Sequence, residues 1–222
     1  MSAEQPGQAR TRRPIQRGDD EFGRVLAFSD GLFAIAMTLL VVGIEVPRME
    51  NPSEGQLWDA VADLQPAYVS FFISFIVIGR YWIAHHQFVR QLDKLDYGLI
   101  WLNTIYLAFV AFLPFPTALL GTYFENPVSI VAYAIAVALV SGMEVVLLRH
   151  AHRRRLFERR LPEDVYRWGV LTSTTPVIFF LGSIPVAFYD TSLAVLFWFG
   201  GIPLQLFVLN RWKPPHTDDY LG

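Results

Sequence analysis

The stretch from Arg24 to Val46, RVLAFSDGLFAIAMTLLVVGIEV, is almost wholly apolar yet carries an aspartate near its start. At about 1.5 Å per residue its twenty-odd residues match a hydrocarbon core of roughly 30 Å, so it reads as a membrane-spanning helix around which the remaining chain is organised. Steps of four and three residues pick out Arg24, Phe28, Gly31, Ile35, Thr38, Val42 and Glu45. At about 100° per residue these fall on one stripe with a charge at each end. In one reading the stripe is a packing seam whose small residue admits a neighbouring helix. In the other it is the wall of a pore. Asp30 lies well off it, so its carboxylate is expected to face protein, and an ionisable group at that depth needs a partner.

With 53% hydrophobic and 15% aromatic residues in 222 and a mean hydropathy of +0.35, the chain is too apolar for a soluble domain of its size. The expected fold is all-α, a polytopic membrane protein with six spans at about 24–46, 66–88, 99–120, 128–148, 168–189 and 191–210. Residues 1–23 are expected to form a disordered cytosolic tail with no cleavable signal, 24–211 a six-helix transmembrane domain, and 212–222 a cytosolic C-terminal tail. The absence of cysteine excludes disulfides, thiolate metal sites and cysteine nucleophiles.

The formal charge of −2 conceals an uneven distribution. Arg10, Arg12, Arg13, Arg17 and Arg24 crowd the start of the first span, Arg90 and Lys94 lie after the second, a run of arginines from Arg149 to Arg167 follows the fourth, and Arg211 and Lys213 follow the sixth. Arg48 stands in an acidic loop with Glu50, Glu54, Asp59 and Asp63, and Arg80 is inside a span. The positive-inside rule then places both termini in the cytosol. The run RHAHRRRLFERR reads as a topology determinant rather than a headgroup or nucleic-acid patch, and no nucleic-acid partner is expected.

Asp30 lies six residues past Arg24, about 9 Å into the membrane, and His85 lies five residues before Arg90, about 7.5 Å from the same side. Trp82 and His85 share a helix face, so an indole N–H and an imidazole are expected to meet the Ser29 and Asp30 side chains. Such a network would tie the first helix to the second; a proton relay and half of a metal site are the other chemistries open to it.

Arg24, Phe28, Ser29 and Asp30 form R-x-x-x-F-S-D at the start of the first span, and Trp82 and His85 form W-x-x-H in the second. In combination these motifs resemble the lysosomal potassium channel family of transmembrane protein 175 and its shorter prokaryotic relatives. The resemblance implies a potassium-preferring cation channel, four chains in the prokaryotic form, and a pore lined by the first helix. It further implies an apolar constriction at Ile35 and a turn or two beyond it, at Leu39 and Val42, a selectivity-linked hydroxyl layer at Thr38, and a packing role for Arg24, Phe28, Ser29, Asp30, Trp82 and His85. The T-V-G-Y-G filter of other potassium channels is absent.

Isoleucines meeting at an axis offer no oxygen to replace an ion's hydration shell, so such a ring blocks by dewetting when narrow and conducts when widened. Glu45 is a candidate for the outer vestibule. The expected protein is therefore a passive cation channel in a prokaryotic cell membrane, a homotetramer in a lipid bilayer with potassium ions as its cargo, not an enzyme, and needing neither cofactor nor metal. A proton-coupled secondary transporter using Asp30 and His85 is the alternative, motivated also by Arg80, His86 and Glu144. No broken-helix inverted repeat supports it. A membrane-embedded hydrolase lacks a nucleophile or H-E-x-x-H motif.

Overall fold

The computed structural model describes residues 13–217 and Tyr220. In chain order its elements are β1 (Ile15–Gln16), α1 (Asp20–Val42), α2 (Glu54–Ala62), α3 (Gln65–Arg90), β2 (Lys94–Leu95), α4 (Tyr97–Phe112), α5 (Pro114–Thr122), α6 (Pro127–Arg154), α7 (Glu163–Ala187) and α8 (Thr191–Arg211). Hydrocarbon leaves free backbone groups without partners, so apolar runs of this length close on themselves as helices. Helices α1, α3, α6 and α7, and α4 with α5 taken as one span from Tyr97 to Thr122, are long and apolar enough to cross a bilayer. The 21 residues of α8 add about 31 Å. The protein is an all-α polytopic membrane protein apart from the pairing of β1 with β2.

The ends of the spans differ from expectation where local chemistry intervenes. Helix α1 begins at Asp20 and stops at Val42, where Gly43 N donates to Leu40 O and Ile44 N to Val41 O. A Cβ at Gly43 would lie 3.2 Å from that of Ala118, so the bare backbone lets the α1 terminus press on α5. Glu45 is consequently beyond the helix, and a helical stripe does not place it. Pro114 and Pro116 lack N–H donors and break the third span at Leu113. Helix α6 continues through Arg154 to a left-handed cap at Arg155, so half of the arginine run extends the helix past the membrane. The acidic loop contains α2, started by a reciprocal capping box between Ser53 and Gln56.

The disordered tail expected over 1–23 lies, for 1–12, outside the described residues; over 13–23 the chain is folded. Ile15 and Gln16 pair antiparallel with Leu95 and Lys94. Arg17 N donates to Asp93 O at 2.8 Å. The loop after α6 joins them: Leu92 pairs with Phe157, Asp93 N donates to Leu156 O and Glu158 N to Gln91 O, both at 2.9 Å. Arg17 Nη1 closes the clamp on Glu158 Oε2 at 2.7 Å. What holds these charged segments down is apolar, since Ile15, Leu92, Leu95 and Leu156 are all buried beneath them. The clamp puts the N-terminal segment, the α3–α4 turn and the α6–α7 turn at one end of the bundle, so their basic clusters share a face. The tail expected from residue 212 is likewise docked where it is described: His216 Nε2 lies 3.0 Å from Asp164 Oδ2, and Tyr220 packs against Leu148, Leu161 and Val165. Residues 218, 219, 221 and 222 of that tail lie outside the described residues.

Helix α6 packs against α4, α5 and α7, and α3 packs on α1 and α5. Hydroxyls tie the helices where lipid supplies no hydrophobic drive. Thr117 Oγ1 donates to Ser74 Oγ at 2.8 Å, Ser74 Oγ donates to Tyr133 OH at 3.0 Å, and Trp198 Nε1 donates to Ser183 Oγ at 2.8 Å. Helix α5 approaches the backbone of α3 closely, since a Cβ on Gly121 would lie 2.9 Å from Ala67 Cα. Gly121→Ala should therefore destabilise the subunit by about 1–3 kcal/mol. Gly142→Ala, with no heavy atom within 4 Å of its added Cβ, should be neutral or gain about 0.5–1 kcal/mol. Thermal unfolding of the two purified variants checks the contrast, and equal melting temperatures would refute the close approach.

Candidate functional site

Helix α1 has two dissimilar faces. Phe22, Ser29, Phe33, Ala36 and Leu40 are buried against α3, α4 and α5. Arg24, Phe28, Gly31, Ile35, Thr38 and Val42 are all exposed on the opposite side, and Leu39 is exposed at its edge. The exposures are large for apolar side chains: 59% for Phe28, 60% for Ile35 and 72% for Val42. Nothing lies within 4 Å of a Cβ built on Gly31. The stripe read from residue spacing is thus a surface that the subunit leaves unpartnered from Arg24 to Val42, about 27 Å along the helix. Thr38 Oγ1 donates to Ile35 O at 2.9 Å, which fixes its proton inward and leaves its two acceptor lone pairs free on the exposed side. Glu45, past the cap, is exposed as well.

The polar network exists, but its wiring differs from expectation. Trp82 Nε1 donates to Asp30 Oδ1 at 2.9 Å. His85 does not meet Asp30. Its Nε2 is 2.8 Å from Asn103 Oδ1, and Asn103 Nδ2 donates to Ser29 Oγ at 3.0 Å. Because the amide nitrogen is committed to Ser29, the amide oxygen accepts and His85 Nε2 carries the proton. Ser29 Oγ in turn donates to Val25 O at 2.9 Å. The reason is helical: Ser29 and Asp30 are about 100° apart on α1 and cannot both face one side of α3. The site therefore has two poles. At the half-exposed pole Asp30 faces Trp82 and, at 3.9 Å, His86 Nδ1. At the buried pole His85 stacks on Tyr106, with ring centroids 5.4 Å apart and planes 8° apart, and tilts against Phe33 at 5.5 Å.

Arg24 and Phe28 are not brought into this network; both sit on the exposed stripe. Asn103, which sequence reasoning missed, is its centre. Its signal was a lone amide in the apolar run YGLIWLNTIYLAFVAF, seven residues and about 10 Å past Asp96, at the depth already assigned to Asp30 and His85.

The division into poles has a measurable consequence. Asn103→Ala strands His85 and Ser29 in the core and should cost about 1–3 kcal/mol, seen as a lower melting temperature. Trp82→Phe removes a donor from a half-exposed carboxylate that water can reach, so it should cost clearly less. If the two variants melt together, the poles are not energetically distinct.

The family model for the endosomal/lysosomal potassium channel TMEM175 matches residues 24–114, which contain α1 from Arg24 onward, the network and the first residue of α5. A potassium channel of Streptomyces collinus is 38% identical over 170 residues, covering 74% of this chain and 79% of that protein. A potassium channel of Chamaesiphon minutus is 34% identical over 175 residues, covering 79% of this chain and 86% of that protein. The crystal structure of a lysosomal potassium-selective channel TMEM175 homolog from Chamaesiphon minutus superposes with a TM-score of 0.73 at 28% identity, covering 88% of this chain and all of that one. The fold and these relatives agree, and the chain belongs to the TMEM175 family.

Proposed function

We propose that this chain is one subunit of a homotetrameric, potassium-preferring cation channel in a prokaryotic cell membrane. In this reading α1 of each subunit lines the central axis, both termini are cytosolic, and conduction is passive. The observation that carries it is the unpartnered face of α1: a helix anchored firmly on one side presents, on the other, a column of apolar residues with one hydroxyl, on a chain whose relatives are named potassium channels. One such face per subunit encloses no path, so several copies must meet at it. Ile35, with Leu39 and Val42 further out, forms the constriction. Apolar rings at these levels exclude water and hence ions until they widen. Thr38 follows Ile35 with its acceptor lone pairs outward, able to hold the waters of a passing cation, and Glu45 adds negative potential at the outer mouth.

A proton-coupled transporter built on an Asp30–His85 relay has less support, since His85 is bonded to Asn103 and the histidine facing Asp30 is His86 at 3.9 Å. The Asp30 pole is read as a tie between α1 and α3 near the cytosolic end of the pore.

Native mass measurement of the solubilised protein should give a tetramer, and a monomer that still conducts would overturn the axial pore. In liposomes with defined potassium and sodium gradients, flux should reverse at the potassium equilibrium potential without obligatory proton movement. Ile35→Asn places amides where butyl groups excluded water, so current should rise while sodium gains on potassium. Thr38→Ala should shift the ion preference with a smaller change in current. Bi-ionic reversal potentials test both, and an Ile35→Asn channel unchanged in current and in ion preference would leave the stripe a packing seam.

A further inference from the structure

Behind α1, on the far side of the subunit from the stripe, lies a crevice of about 360 Å³ between α3, α6 and α7. Helix α3 is bonded to α6 through Ser74 and Tyr133 and through Tyr81 and Ser141, and the crevice opens beyond those bonds along the Arg80–Gln91 part of α3. Arg80, Ile83, Gln87 and Gln91 line it at three- and four-residue steps, a single face of α3 about 16 Å long. Gln91 belongs to the β clamp, so the mouth is at the arginine-rich end of the bundle. The deep end is Arg80, Tyr106 and Glu144, within the membrane-spanning part of their helices.

That deep end is electrostatically incomplete. Arg80 Nη1 lies 3.8 Å from Glu144 Oε2, too far for a hydrogen bond. Among the described residues, Arg80 Nη1, both carboxylate oxygens of Glu144 and the Tyr106 hydroxyl are buried without a hydrogen-bond partner, and Ser173 lies on the same crevice wall. The two charges are not equally stranded. The Arg80 side chain as a whole is 39% exposed, with one nitrogen unpartnered, whereas that of Glu144 is 9% exposed and lacks a partner on both oxygens. The larger unmet demand, two oxygens against one nitrogen, is therefore for donors to a carboxylate, at the deep end of a space whose walls are Ile83, Leu147 and Leu148 and whose mouth carries Trp168 and Asn210. Apolar walls with a few convergent polar groups are the common form of a small-molecule site.

We propose that this crevice is a second binding site, separate from the α1 face, for an amphipathic organic ammonium ion. Its head donates to the Glu144 carboxylate, and its apolar body lies along Ile83, Leu147 and Leu148. A primary ammonium supplies three donors and a charge opposite to the group that lacks them. His85 and Tyr106 also line the crevice and both pack on Phe33 of α1, so an occupant touches the groups that hold that helix.

The probe is hexylammonium, with hexanol and hexanoate as controls of the same length, and the readout is the melting temperature of the full chain in lipid nanodiscs. Binding measured this way requires no current, so its failure is separable from failure of the channel reading. Hexylammonium should raise the melting temperature saturably, and Glu144→Gln, which keeps the shape and removes the charge, should weaken apparent affinity about tenfold or more. Ala84→Phe, which fills the crevice from α3, should abolish the response. Equal titrations of the wild type and Glu144→Gln, or tighter binding of hexanoate than of hexylammonium, would overturn the site. Should Glu144→Gln fail to fold, the filled variant decides: a saturable response retained in Ala84→Phe places the ligand elsewhere.

Discussion

Asn103 is the interaction on which the arrangement of α1 depends. Helices in lipid gain little by hiding apolar surface from one another, because the acyl chains are equally apolar, so their relative positions rest on close packing and on polar bonds. A side-chain amide both donates and accepts, and here it does each once, to Ser29 on α1 and from His85 on α3. It joins three helices with one group. Hydroxyl and imidazole alone would leave one partner short, and a carboxylate in the same place would bring a charge into a dry site. The stacked Tyr106 ring and the edge of Phe33 then keep water away from the bonds they surround.

The β clamp performs a comparable task at the arginine-rich end. Three chain segments that sequence order keeps far apart meet there through backbone bonds, with Arg17 and Glu158 across the join. An exposed ion pair of this kind adds little by itself. The buried leucines and Ile15 provide the holding energy, and the charges keep the segments outside the hydrocarbon. The clamp thus turns a statistical bias of basic residues into a fixed relation between loops.

Much of this was legible before any coordinates. Length and hydropathy located the spans because bilayer thickness sets helix length, and residue spacing separated the exposed stripe of α1 from its buried face because 3.6 residues per turn leaves no other choice. The R-x-x-x-F-S-D and W-x-x-H motifs pointed to the right helix pair. What could not be read was rotation. Ser29, Asp30, His85 and His86 include two adjacent pairs, and which member of each faces the other depends on how α1 and α3 turn about their axes, a property of packing with α4 that no local pattern encodes. Asn103 was overlooked for a related reason: a single amide in an apolar run has no periodicity. The ends of the helices were misjudged where one residue decides, as at Gly43, or where a distant strand pairs, as at Ile15.

The positions of the ties limit how a pore made from this helix can open. Phe22 is buried next to the clamp at one end of α1, Ser29 is bonded to Asn103 about two-fifths of the way along, and Gly43 presses on Ala118 at the other end. Ile35 and Leu39 lie between the last two ties, on the opposite face, with Phe33, Ala36 and Leu40 packed behind them. Bending α1 inside that interval would pull buried side chains out of a close-packed interior, and no proline or inserted bulge makes it cheap. In the proposed tetramer the constriction therefore widens by rotation of side chains on a rigid helix, or by displacement of whole subunits that carry their α1 with them. Three weakly coupled rings of apolar atoms suit such small movements, because dewetting responds steeply to radius and does not require a ligand cage to be rebuilt at each opening.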